Sequence, residues 1–340
     1  MFNEKIGTNY ASDMGDGVEK VDFARFVEIT KETIKDYLPD EYENAIVDVY
    51  PCNRLNKSYL GMIVKTQKNA VSPTLNLNMF YDALQRFHYD LEKIMKKMAE
   101  VVQIRPMGVD MELFRDYGKA KEHLFIRVSN ADKNQETLSN VPHTRVEDLA
   151  ITYHISLGFE KNGISSAIVD NEMMRAFGVS KDELHQDAIE NSPKLLPVKV
   201  EPLWRVMKNM VEELQAADVT EEDNDLLQDE AIPFTIVTNE QKINGASAIF
   251  YPGVMDQIGR LLKGNYFILP SSIHEMLILP DNGMITSSEL KSWVVEANCC
   301  TVLPEEKLAD EVYHYDYVEK IFEKASAFEA RKRKARKRKF

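Results

Sequence analysis

Between Asp148 and Leu157 the chain alternates regularly, with Leu149, Ile151, Tyr153, Ile155 and Leu157 at period two. Successive side chains of a strand point to opposite faces, so this run predicts a strand with one buried face. Asn162-Gly163 follows, a dipeptide suited to the positive φ angles of a two-residue hairpin turn, and leads into a second strand over 164–169. A tight hairpin pairs its strands antiparallel, and an antiparallel sheet with one polar face needs helices only on the other. The fold class expected is therefore α+β, with antiparallel hairpins and helices on one face.

The remaining punctuation agrees. Phe23, Phe26, Val27, Thr30 and Ile34 share one helical face that ends before Pro39. Runs at 45–50 and 58–66, separated by Asn53 and Asn56, predict a hairpin, and Leu75, Leu77 and Met79 alternate as a third strand before a long helix over 81–102. Gly178 ends a short helix, and Ser180 with Glu183 forms a capping box that starts the next. Phe234–Thr238 reads as a strand, Asn244-Gly245 as a second hairpin turn, 246–251 as its partner, and Pro252 opens a helix closed by Gly264. Gly163 with Ser165 and Gly245 with Ser247 recur at a shift of 82 residues, which suggests repeated strand-strand-helix units, with 45–102 as a third copy.

Charge divides the chain further. Nine acidic and no basic residues fall between Glu212 and Ala231, whereas Arg331, Lys332, Arg333, Lys334, Arg336, Lys337, Arg338 and Lys339 crowd the C-terminal end. The net charge is −13, so the rest of the chain carries −21. The expected organisation is a leader over 1–20, an N-terminal α+β domain over 21–211, an acidic linker over 212–231, a C-terminal α+β domain over 232–325 and a basic tail over 326–340. The tail suits nucleic acid or another polyanion, bound with steep salt dependence, although no aromatics for base stacking interleave it. Its alternative is a solvated end folded back onto the acidic body.

Other chemistry is sparse. No run is long and apolar enough to span a bilayer, and no export signal opens the chain, so no membrane is expected. Cys52, Cys299 and Cys300 suit neither a disulfide framework nor a zinc site, and a reducing, cytoplasmic setting is the simplest reading. Seven scattered histidines lack metal-ligand spacing, and neither G-x-G-x-x-G nor a phosphate loop occurs, so no metal or cofactor is expected. The most distinctive run is Tyr266–Pro280, which sets Ser271, Ser272, His274 and Glu275 between two apolar strands. These residue types could form a serine nucleophile, base and orienting carboxylate, as in a serine-type hydrolase. They also read as a local capping box that starts one helical turn. Asn130, Asn134, Gln135, Pro142 and His143 form a polar loop that turn chemistry explains more simply than a ligand does.

Several runs taken together carry a resemblance. They are Asn134-Gln135, Val141-Pro142-His143, Asp148-Leu149-Ala150, Glu183-Leu184-His185, 190–193, Val237-Thr238-Asn239, Asn244-Gly245-Ala246, 251–254, Leu269–Glu275 and Asp310–Tyr315. Over most of its length the chain resembles a domain-of-unknown-function family of anaerobic gut clostridia, marked by the Leu-Pro-Ser-Ser-Ile-His-Glu motif. The resemblance implies a bacterial cytoplasmic setting and no particular activity. Composition and pattern favour a non-enzymatic binding or adaptor protein with a protein partner, ahead of a hydrolase or a nucleic-acid binder.

Overall fold

The computed structural model describes residues 21–66, 72–86, 90–104, 110–160, 163–214 and 234–337. The chain forms two compact units, Met1–Gly108 and Val109–Phe340. The boundary thus falls near residue 108 instead of in the acidic stretch where charge alone had put it.

In the first unit α1 (Phe23–Thr33) begins where the Asp22 carboxylate accepts from the Arg25 amide at 2.8 Å. β1 (Ile46–Arg54) and β2 (Lys57–Lys65) form the expected hairpin, turning at Asn56 with φ 61°, and the short β3 (Thr74–Asn76) joins β2 antiparallel. The third strand stops early because Asn76 Oδ1 accepts from the Met79 amide at 3.1 Å, which starts α2 (Leu77–Arg86). The single long helix expected over 81–102 is two helices, since Asp90 caps a fresh start for α3 (Leu91–Gln103) through the Lys93 amide. Phe26, Met62, Leu75, Ile94 and Met98 pack in one core, while Ile46 and Tyr50 face outward.

The second unit is built on two antiparallel sheets sharing one core. After α4 (Tyr117–Lys121), β4 (Leu124–Asn130) leads through α5 (Gln135–Leu138) to β5 (His143–Val146), β6 (Leu149–Glu160) and β7 (Gly163–Ile168). β6 is the predicted alternating strand; it pairs with β4, β5 and β7, and Asn162 lies outside the described residues. Next come α6 (Asn171–Phe177), ended by Gly178 at φ 69°, and α7 (Lys181–Leu195), opened by the predicted Ser180–Glu183 capping box. β8 (Val198–Pro202), α8 (Leu203–Leu214), β9 (Thr235–Asn239), α9 (Val254–Leu262), β10 (Tyr266–Pro270), β11 (Met276–Pro280), α10 (Ser287–Cys300), β12 (Tyr313–Asp316), β13 (Ile321–Lys324) and α11 (Ala325–Lys337) complete it. The second sheet runs β13-β12-β10-β11-β9-β8.

Leu124, Ile126, Leu149, Ile151 and Tyr153 from one sheet meet Val237, Ile268, Ile278 and Tyr313 from the other in a single hydrophobic core. The alternate residues Phe267, Leu269 and Leu279 turn to a second layer formed with Leu290 and Val294 of α10. The architecture is α+β.

Three expectations change. β8 pairs antiparallel with β9 in continuous register from Val198↔Asn239 to Pro202↔Thr235, so the acidic stretch connects neighbouring strands of one sheet instead of separating two domains. Residues 245–250 form a 3-10 turn and not a strand, which removes the apparent 82-residue repeat. A type I′ hairpin needs positive φ at both central residues, and here Asn244 alone has it, at 51°. Gly245 is there for space: a Cβ would lie 2.6 Å from the Asn239 amide nitrogen and 2.7 Å from the His274 carbonyl oxygen. Finally, the basic end expected as a tail over 326–340 is the helix α11 as far as Lys337, and it follows directly on a hairpin over 313–324. Asp316 turns that hairpin by accepting from the Val318 and Glu319 amides.

Candidate functional site

The Ser271–Glu275 run is the loop of the β10–β11 hairpin and contains no helical turn. The Ser272 hydroxyl accepts from the backbone amide of His274 at 3.0 Å, and Ser271 donates to Glu275 Oε1 at 3.3 Å. The imidazole is engaged elsewhere. The Asn244 amide donates to His274 Nδ1 at 3.2 Å, which puts the ring proton of a neutral His274 on Nε2, 3.4 Å from Glu306 Oε1. The backbone is held just as closely, with Thr238 Oγ1 donating to the His274 carbonyl at 2.7 Å and the Ile273 amide donating to the Glu306 carbonyl at 2.8 Å. The structure brings Ser271 to Glu275 but brings neither hydroxyl to the imidazole. What the geometry does is fasten β9, the 3-10 turn and the 303–306 segment to the hairpin loop.

The loop before β5 also performs turn chemistry. Asn130 Oδ1 accepts from the Lys133 amide at 2.9 Å, and the Asn134 side-chain amide donates to the Asn130 carbonyl at 2.7 Å.

Two buried polar pairs in the second unit escape sequence reasoning, because their partners are far apart in the chain. Tyr313 donates to Asp148 Oδ1 at 2.9 Å, and Lys324 approaches the same oxygen at 3.3 Å. Burial, reinforced by Asp148, holds the phenol strongly protonated. His314, fully buried, stacks on Phe328 with ring centroids 3.5 Å apart and faces Asp281 Oδ2 at 3.2 Å. The hydrogen bond from His314 keeps the Asp281 carboxyl below its ordinary range, against the opposing effect of burial.

The basic end is organised by one residue. Arg331 binds Asp316 Oδ2 at 2.8 Å and Glu323 Oε1 at 2.6 Å, clamping α11 to the β12–β13 hairpin. Burial opposes ionisation of Asp316, yet Arg331 and the turn amides keep its pKa lowered. Arg333 pairs with Glu329 along the helix, and Lys332 lies 5.1 Å from the centre of the Phe328 ring. Lys334 and Lys337 are exposed and have no carboxylate partner among the described residues. A recess of about 290 Å³ beside the helix is lined by Asn265, Asp316, Glu319, Arg331 and Lys332. Arg336 lies within the helix, whereas Arg338 and Lys339 lie outside the described residues.

No group of histidine, cysteine, aspartate or glutamate among the described residues could hold a metal, and no described helix is long and apolar enough to cross a membrane. Fold and site therefore define an α+β protein of two units with a clamped basic helix and a bonded Ser-His-Glu loop. The chain belongs to a family of unknown function (DUF5688), whose profile matches residues 23–317. Neither the curated proteins nor the solved structures give a match. The matched range contains the hairpin loop and both sheets of the second unit as far as β12, and stops short of α11.

Proposed function

We propose that this chain is a binding or adaptor protein that docks an acidic partner on the outer face of α11. The observation that carries the reading is the double ion pair of Arg331, which makes the basic helix part of the folded unit and leaves Lys334 and Lys337 turned to solvent. A fixed array of cations attracts anions without first ordering a loose segment, so less conformational entropy is lost on binding. A protein partner suits the helix better than a long nucleic acid does. Phe328 is buried and offers no surface on which bases could stack. The hairpin loop gives a hydrolase reading little support, since the imidazole is bonded to Asn244 and Glu306. The free state of Cys52, Cys299 and Cys300 supports a reducing, cytoplasmic setting.

Fluorescence anisotropy with labelled polyglutamate and a labelled single-stranded RNA, at low and high salt, tests the proposal. Polyglutamate should bind the native chain and lose most of its affinity both at high salt and in the Lys334→Glu/Lys337→Glu variant. Equal binding by the charge-reversed variant would overturn it. Tighter binding of RNA than of polyglutamate would replace the protein partner with nucleic acid.

A further inference from the structure

The sheet of β4, β6 and β7 has a second face, turned away from the shared core. Arg127 and Ser129 of β4 point to it, with Phe125, and cross-strand pairing adds Thr152, His154 and Ser156 from β6 and Ser166 from β7. Sheet geometry puts these residues on one face because each alternates with a core residue. The face is polar yet largely buried: Thr152 is 0% exposed and His154 5%.

Arg127 runs diagonally across this face. Its guanidinium passes 5.3 Å from the centre of the Phe125 ring and donates from Nη2 to Ser166 Oγ at 2.9 Å. No carboxylate pairs with it among the described residues, and its Nε–H is buried with no acceptor. Two positions along the same strand, Ser129 Oγ is buried and unpartnered as well. The neighbouring imidazole offers no negative charge; burial first, and Arg127 second, push the His154 pKa well below its usual range. Burial alone lowers the guanidinium to about 10, which leaves it charged near neutrality. Proteins rarely bury a cation without a counter-ion, because desolvation then goes uncompensated. Ser166, having accepted from Arg127, still has a hydroxyl proton to donate, and Arg127 and Ser166 both keep part of their surface open.

We propose that Arg127 and Ser166 anchor a site for a small oxyanion, a carboxylate or phosphate group, on this face of the sheet. The guanidinium supplies the charge and its free Nε–H, and Ser166 supplies a second donor beside Nη2. Such a fork matches two oxygens of one anionic group. The site is independent of α11 and falls within the range matched by the family.

The test is a titration of the full chain with inorganic phosphate and, separately, with acetate. Sodium chloride holds the ionic strength constant, and the readout is the imidazole resonances of His154, assigned by their loss in His154→Phe. At least one anion should shift His154 saturably, and comparison of the two shows which oxyanion fits. Arg127→Gln should abolish the saturable shift. Ser166→Ala, on the partly open β7, should weaken it by about 10- to 100-fold, the range expected on losing a hydrogen bond to a charged group. If neither anion gives a saturable shift, or Arg127→Gln binds like the native chain, the site does not exist. Should Arg127→Gln fail to fold, Ser166→Ala decides, and unchanged affinity there overturns the proposal.

Discussion

Replacing Gly245 with alanine tests the account of the 3-10 turn directly. In a type I′ hairpin the cost would be that of an alanine in left-handed backbone, about 1 kcal/mol. The structure gives a different cause and a larger number. The new methyl would sit 2.6 Å from the Asn239 nitrogen, 2.7 Å from the His274 carbonyl oxygen and closer still to Thr238 Oγ1. Two of these are backbone atoms, one held by the β8–β9 pairing and the other in the bonded β10–β11 loop, so they cannot yield as a side-chain tip would. Overpacking of this kind costs about 1–3 kcal/mol, near the upper end here. Displacing Thr238 also removes its 2.7 Å hydrogen bond to His274, about 1 kcal/mol more. A loss of about 3–4 kcal/mol is expected, equivalent to a fall in Tm of about 10 °C for a unit of this size. Both tryptophans, Trp204 and Trp293, belong to the second unit, so urea unfolding followed by tryptophan fluorescence reports on it selectively. Asn244→Gly, at the residue that does have positive φ, is the control and should be close to neutral. A loss below 1 kcal/mol for Gly245→Ala would refute the steric argument.

Tyr313→Phe removes the phenol bonded to the buried Asp148 while Lys324 remains, so a loss of about 1.5–2 kcal/mol is expected in the same unfolding assay. No measurable loss would mean that Lys324 alone satisfies the carboxylate. The Asp281–His314 pair predicts a pH dependence. Because the carboxyl pKa is depressed in the folded chain, its contribution is present above the unfolded value of about 3.9 and is lost as pH falls through the folded value. The stability gap between the native chain and Asp281→Asn should therefore be constant near neutrality and close in acid. A gap that persists unchanged to pH 3 contradicts the assignment.

Local signals translated well where local physics decides. The period-two run became β6, Ser180 and Glu183 capped α7, and Asn56 turned the first hairpin. Asn244-Gly245 shows the limit, since its spelling matches Asn162-Gly163 while its glycine answers to His274 and Asn239 packed against it. Asn76 could be a strand residue or a helix cap, and only its bond to Met79 decides. The candidate loop was visible as an unusual string of serine, histidine and glutamate, but its bonding depends on Asn244 and Glu306, about 30 residues away on either side. Arg127 stood out least. A lone arginine in an apolar strand means little until strand register sets hydroxyls and an imidazole, with no acid among the described residues, beside it.

The bond from the Leu203 amide to the Phe234 carbonyl, 2.9 Å long, continues the β8–β9 pairing and closes the intervening chain into a loop anchored at both ends. Loop-closure entropy grows only with the logarithm of length, so doubling such a loop costs roughly 0.6 kcal/mol. Evolution can therefore lengthen, shorten or recharge the chain between these strands at little thermodynamic risk to the sheet. The β10–β11 loop has no such freedom, because nearly every polar group in it is already committed to a neighbour. Among relatives of this chain, length variation is accordingly expected in the acidic stretch, with the hairpin loop constant in size.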